Sequence, residues 1–186
     1  MNVLIKSTVV ALVFVSLKAR AENQSPFISL MAAPFAAMDA DTRRYEEPAP
    51  EQKKFNMNLH QGYGLRISAW NMYASFTESI TERDSEIPNA RFTAITAGFL
   101  VDEMDDTSYP VGLYTRFGSG LGSGVLHYAN SSQDEEDLLW EVFAEGGLTF
   151  FHYYQLGLQG KMQGLFKVGD TRALLGEVAI VASVHF

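Results

Sequence analysis

The chain of 186 residues contains no cysteine. That excludes a disulfide framework, a thiolate metal site and a lipid-modified N-terminal cysteine. It also lacks any apolar run near the ~20 residues that a membrane-spanning helix needs. Positive charge is scarce, with 14 Lys/Arg against 22 Asp/Glu. Nucleic-acid binding, which needs a basic footprint, is excluded on that ground.

The first 21 residues have the layout of a secretory signal peptide. Lys6 supplies the positive segment, Ser7 to Leu17 the short apolar segment, and Ala19-Arg20-Ala21 the small-x-small cleavage pattern. Residues 1–21 are therefore expected to be removed on export, leaving 22–186 as one domain. The signal holds Lys6, Lys18 and Arg20 and no acid, so the mature segment carries 14 − 3 = 11 positive and 22 negative side chains. An exported chain without cysteines must hold its fold by other means, and closing a sheet on itself is one.

What the chain does have is alternation. From Ala173 to Phe186, Leu174, Val178, Ile180, Val184 and Phe186 fall on one face, while Leu175, Glu177, Ser183 and His185 fall on the other. A period of two marks a strand with two different faces. In Tyr154 to Lys167, Leu156, Leu158, Met162 and Phe166 oppose Gln155, Gln159, Lys161 and Gln163. Leu138 to Phe151 and Phe55 to Trp70 repeat the pattern, with Glu141, Glu145 and Arg66 on the polar faces. Segments 109–128, 90–101, 72–81 and 26–35 complete a set of eight, the last containing Pro34. Apolar outside and polar inside is the inverse of a soluble core and the pattern of a transmembrane barrel.

The predicted fold class is all-β: an antiparallel up-and-down transmembrane β-barrel of eight strands. Connections 36–54, 82–89, 129–137 and 168–172 are expected outside the cell. Trp70-Asn71, 102–108 and His152-Tyr153 are expected as inner turns. Residues 36–54 are then a long outer loop. Alternatively 22–54 forms an N-terminal arm, and the glycine-rich fifth strand splits near Gly118–Gly124 to restore eight.

Eight strands enclose a lumen just filled by side chains. Inward candidates are Arg66, Arg116 and Lys161 against Glu141, Glu145 and Glu177, expected to form an interior ion-pair network. The inward glycines 118, 120, 122 and 124 are expected to make room for Tyr114, Phe143 and Phe151, or to leave a ligand cavity. Trp70, Tyr73, Trp140, Phe150, Tyr153 and Tyr154 sit near strand ends, where interface girdles form.

With export signal, eight strands and a terminal Val184-His185-Phe186, the chain resembles the small bacterial outer-membrane β-barrels of the OmpA and OmpX kind. The resemblance implies an integral outer-membrane location in contact with lipid and lipopolysaccharide. It also implies a C-terminal signal, Val184 and Phe186, read by the barrel-assembly machinery. Val181 and Ala179 stand where that family commonly has a glycine and a polar residue.

The expected function is a structural or surface-interaction role through extracellular loops, with an extracellular ligand of unidentified kind, no cofactor and no enzymatic activity. Two alternatives stand beside it. A lipid A-modifying enzyme is suggested by His127 ahead of Asn130 and Ser131, with Glu141 as orienter, although Ala129 occupies the nucleophile position of a His-x-Ser-Asn motif. A narrow pore or small-ligand transporter is the other. Asp134 to Asp137 is a run of acids suited to divalent cations or to a solvated loop. Asp102, Glu103, Asp105 and Asp106 read as a plain acidic turn.

Overall fold

The structure, a computed structural model, describes residues 26–42, 53–81, 90–104, 110–128, 135–166 and 171–186. These residues form eight strands: β1 (Phe27–Thr42), β2 (Lys53–Ala69), β3 (Met72–Thr81), β4 (Ala90–Met104), β5 (Val111–Tyr128), β6 (Glu135–Phe150), β7 (Tyr154–Leu165) and β8 (Thr171–His185). Each pairs antiparallel with its chain neighbours, and β8 pairs with β1 to close the barrel. Closure removes both sheet edges, so every strand finds ladder partners on two sides.

The strands run longer than their apolar stretches suggest. β1 continues past Pro34 to Thr42, and β2 starts at Lys53. The connection between them is thus 43–52 rather than 36–54, and the N-terminal-arm alternative fails because β1 lies between β2 and β8. Pro34 lacks an N–H to give the ladder, and β1 absorbs it with a register shift against β8 between Ala32 and Phe35. The fifth strand is unbroken, so no split near Gly118–Gly124 occurs.

At one end, the turn end, two links are tight. Trp70 and Asn71 both have positive φ, at 51° and 61°. That is the left-handed pair a two-residue hairpin needs to match strand twist. Trp is an awkward occupant, since a bulky residue there costs roughly 1–2 kcal/mol. Phe151 and His152 repeat the geometry at 51° and 63°. Phe186 N–H donates to the Pro26 carbonyl at 3.0 Å, fastening the two ends of the described barrel. The opposite end, the loop end, carries the connections 43–52, 82–89, 129–134 and 167–170.

Alternation sets the wall. Leu30, Ile95, Leu113 and Leu158 are each at least 60 % exposed on the outside, whereas Ser29, Thr96, Arg116 and Gln159 are buried inside. On β4, outward Arg91 and Glu103 bracket an uncharged stretch from Thr93 to Val101. The twelve steps from Arg91 to Glu103, at ~3.3 Å rise and ~40° tilt, span about 30 Å, close to the height of a hydrocarbon band with its margins.

Candidate functional site

The feature that could carry chemistry is the lumen, where the period-two pattern of five strands delivers charged side chains to one axis. Arg66 (β2), Arg116 (β5), Glu141 and Glu145 (β6), Lys161 (β7) and Glu177 (β8) are all buried there. The structure divides them into three groups.

The first centres on Glu145. Its Oε2 accepts from Arg66 Nη1 at 2.9 Å and its Oε1 from Arg116 Nη1 at 2.8 Å and the Tyr114 hydroxyl at 2.9 Å. Arg116 Nη2 donates to Asp102 Oδ2 and Gln155 Oε1, each at 2.8 Å. With its amide turned so that the oxygen faces the guanidinium, Gln159 accepts from Arg66 Nη1 at 3.1 Å. Aromatic faces cover the cations: Arg66 lies 3.7 Å over Phe143, and Arg116 3.8 Å over Phe27. A planar guanidinium suits this role, since its edge takes hydrogen bonds while its face stacks.

The second centres on Glu141. Its Oε1 accepts from the Tyr73 hydroxyl at 2.9 Å, Thr96 at 3.1 Å and Ser75 at 3.5 Å; its Oε2 accepts from Gln163 Nε2 at 2.6 Å. All four donors are neutral. The third is the Lys161–Glu177 ion pair, to which Ser79 adds a hydroxyl donor.

Asp102 joins this lumen rather than a plain acidic turn, because β4 extends to Met104 and places residue 102 in the inward register of Phe92, Thr96 and Leu100. No excess of apolar neighbours marked it in the sequence; only the length of β4 does. A second unforeseen element is an apolar cap at the loop half of the lumen. Phe92 sits opposite Leu126 and Leu139 opposite Leu165, and all four are buried.

The inward glycines are filled rather than hollow. A Cβ at Gly118 would fall 2.3 Å from Phe143 Cζ, and one at Gly124 2.8 Å from Leu165 Cδ2. Tyr114 packs over Gly157 in the same way, its hydroxyl 2.3 Å from where a Cβ would stand. Phe151, expected inside, lies in the turn and is 64 % exposed, since β6 stops at Phe150.

The motif around His127 does not assemble. His127 is on the outward register of β5 and Glu141 on the inward register of β6, so the barrel wall separates them. Ala129, Asn130 and Ser131 lie outside the described residues. The acidic run is divided too. Glu136 faces outward and accepts from Ser123 Oγ at 2.9 Å, Asp137 takes the inward register, and Asp134 lies outside the described residues. Val184 and Phe186 are both on the outward face at the turn end, 45 % and 67 % exposed.

No protein-family model matches the chain, and no curated protein matches it in sequence. Solved structures do. The crystal structure of Neisserial surface protein A matches with a TM-score of 0.56 at 13 % identity, covering 88 % of this chain and 98 % of that one. The chain has the fold of the small outer-membrane β-barrels. At this identity the likeness extends to the fold alone. Weaker matches include the attachment invasion locus protein Ail of Yersinia pestis (TM-score 0.42, 14 % identity, 86 % and 99 % coverage) and the N-terminal barrel domain of Pseudomonas aeruginosa OprF (0.40, 12 %, 83 % and 96 %).

Proposed function

We propose that this protein is an integral outer-membrane barrel whose lumen is a structural plug and whose loops, at the end opposite the chain termini, carry a surface-interaction role. The observation that carries this is the filled lumen. Buried charged groups are satisfied by one another or by neutral donors along the lumen, and Phe92, Leu126, Leu139 and Leu165 pack its loop half on the β4–β7 side. A conducting pore would need an open polar path, and these side chains occupy the described part of it.

Balanced burial explains the residue types. Each unpaired charge in such an interior would cost several kcal/mol, so the network must be complete or absent. With the interior committed to stability, the residues left for recognition are those of the connections. Lipid and lipopolysaccharide would contact the apolar wall and its polar margin, while the assembly machinery would read Val184 and Phe186. Surface proteins feature among the fold's bearers, Neisserial surface protein A being one by name.

The experiment is a gel-mobility assay on the outer-membrane fraction, followed by loop deletion. The folded barrel should migrate differently before and after boiling, and deletion of 43–52 or 129–134 should leave that shift intact while removing any cell-surface binding. Recovery as a soluble periplasmic protein without a heat shift would overturn the assignment.

A further inference from the structure

One cluster lies outside the lumen and away from the loops. On the outer wall near the loop end, Glu78 stands on the same face as Ala74, Phe76 and Ile80, yet is only 8 % exposed. Two neighbours cover it. The Tyr63 hydroxyl donates to its Oε2, and Arg91 Nε lies 2.8 Å from its Oε1. One carboxylate oxygen thereby accepts a hydrogen bond and the other is in ion-pair contact, both within the wall. The Arg91 side chain stays 58 % exposed. Directly across the ladder from Arg91 is His127, also outward.

We infer that Arg91, oriented by Glu78 and Tyr63, is a binding site for a phosphate on the headgroup of a glycolipid in the surrounding leaflet. The inference rests on the outer-membrane assignment above. A carboxylate on a hydrocarbon-facing wall belongs at the polar margin, because charge at the midplane is costly. Arg91 therefore stands at headgroup depth. Its ion pair engages Nε, which leaves the two Nη groups as a planar fork, the geometry that takes phosphate oxygens bidentately. Glu78 pairs with that guanidinium, and its other carboxylate oxygen accepts from Tyr63 along the outer wall. The site lies flush with the lipid-facing wall, which favours a lipid-borne phosphate over a free one.

The test uses the full barrel folded into nanodiscs and native mass spectrometry, with bis-phosphorylated lipid A and its dephosphorylated form as probes. The wild type should retain the phosphorylated lipid preferentially. Arg91→Ala should reduce that preference about fivefold, the effect of one basic residue at an anionic membrane surface. Arg91→Lys should restore it only in part, since an ammonium lacks the fork. Glu78→Gln should weaken it less than Arg91→Ala. A heat shift in every variant shows that the barrel itself is intact, so failure of the site and failure of the fold are read separately. Equal retention of both lipids by the wild type, or an unchanged preference in Arg91→Ala, would overturn the inference. So would competition by millimolar inorganic phosphate as strong as that of lipid A.

Discussion

Two glutamates on one strand, four residues apart and both buried, are held in opposite ways. Glu145 is clamped between Arg66 and Arg116. Glu141 accepts only from Tyr73, Ser75, Thr96 and Gln163. The difference is one of consequence rather than burial. Removing the Glu145 charge takes from Arg66 the carboxylate that pairs with it and leaves Arg116 with Asp102 as its ion-pair partner, in a region where water cannot readily replace the loss. Removing the Glu141 charge leaves neutral hydroxyls and amides that can turn. Glu145 is thus the keystone of the plug, and Glu141 is a polar filler adapted to its neighbours.

The sharpest break of this contrast is Glu145→Gln. Breaking one side of a buried ion-pair network costs about 3–5 kcal/mol. Urea unfolding of the barrel in lipid should show a loss of that size, and a double-mutant cycle with Arg66→Met should recover a part of it. Next is Gly118→Ala, which drives a methyl into the Phe143 ring on which Arg66 stacks. Overpacking of this kind costs about 1–3 kcal/mol, and Phe143→Leu in the same chain should return most of the stability. Glu141→Gln is expected to cost only about 1 kcal/mol, one ordinary hydrogen bond. Gln163 Oε1 has no hydrogen-bond partner among the described residues, so its amide can turn to accept from the new side chain. A loss equal to that of Glu145→Gln would erase the distinction between the two nodes.

The smallest effect concerns the turn end. Trp70→Gly removes a left-handed φ strain of roughly 1–2 kcal/mol and also removes an exposed aromatic at the membrane margin. The two nearly cancel, and the net change in unfolding midpoint should be slight. The same substitution should raise stability clearly in detergent, where a margin anchor contributes less.

Much of this architecture was legible because a barrel wall has two faces and the sequence prints both. Leu174 to Phe186 and Tyr154 to Phe166 alternate so regularly that their outward and inward sets could be assigned residue by residue. Eight strands and the burial of the six charged residues follow from that period. Part of what escaped has a common cause. β3 and β4 carry inward Ser75, Thr77 and Thr96 beside inward Phe92, Ala94 and Leu100, so their inner faces average to no clear polarity. Asp102 and Phe92 of the apolar cap come from β4, whereas Leu126, Leu139 and Leu165 are apolar exceptions on the inner faces of β5, β6 and β7. The extensions of β1 and β6 were hidden as well, because beyond the hydrocarbon band a strand need not alternate in hydropathy. Pairing of Glu145 with two arginines was not readable at all, since it depends on side chains from β2, β5 and β6 meeting across the barrel axis.

The central claim is that the lumen is a closed plug keyed by Glu145. Planar-bilayer recording of the folded barrel tests it most directly. The wild type and Glu141→Gln should show no steady conductance, and Glu145→Gln should show at most brief openings as its arginines are released. Stable, stepwise conductance from the wild type would mean that the ion pairs line a path instead of blocking one.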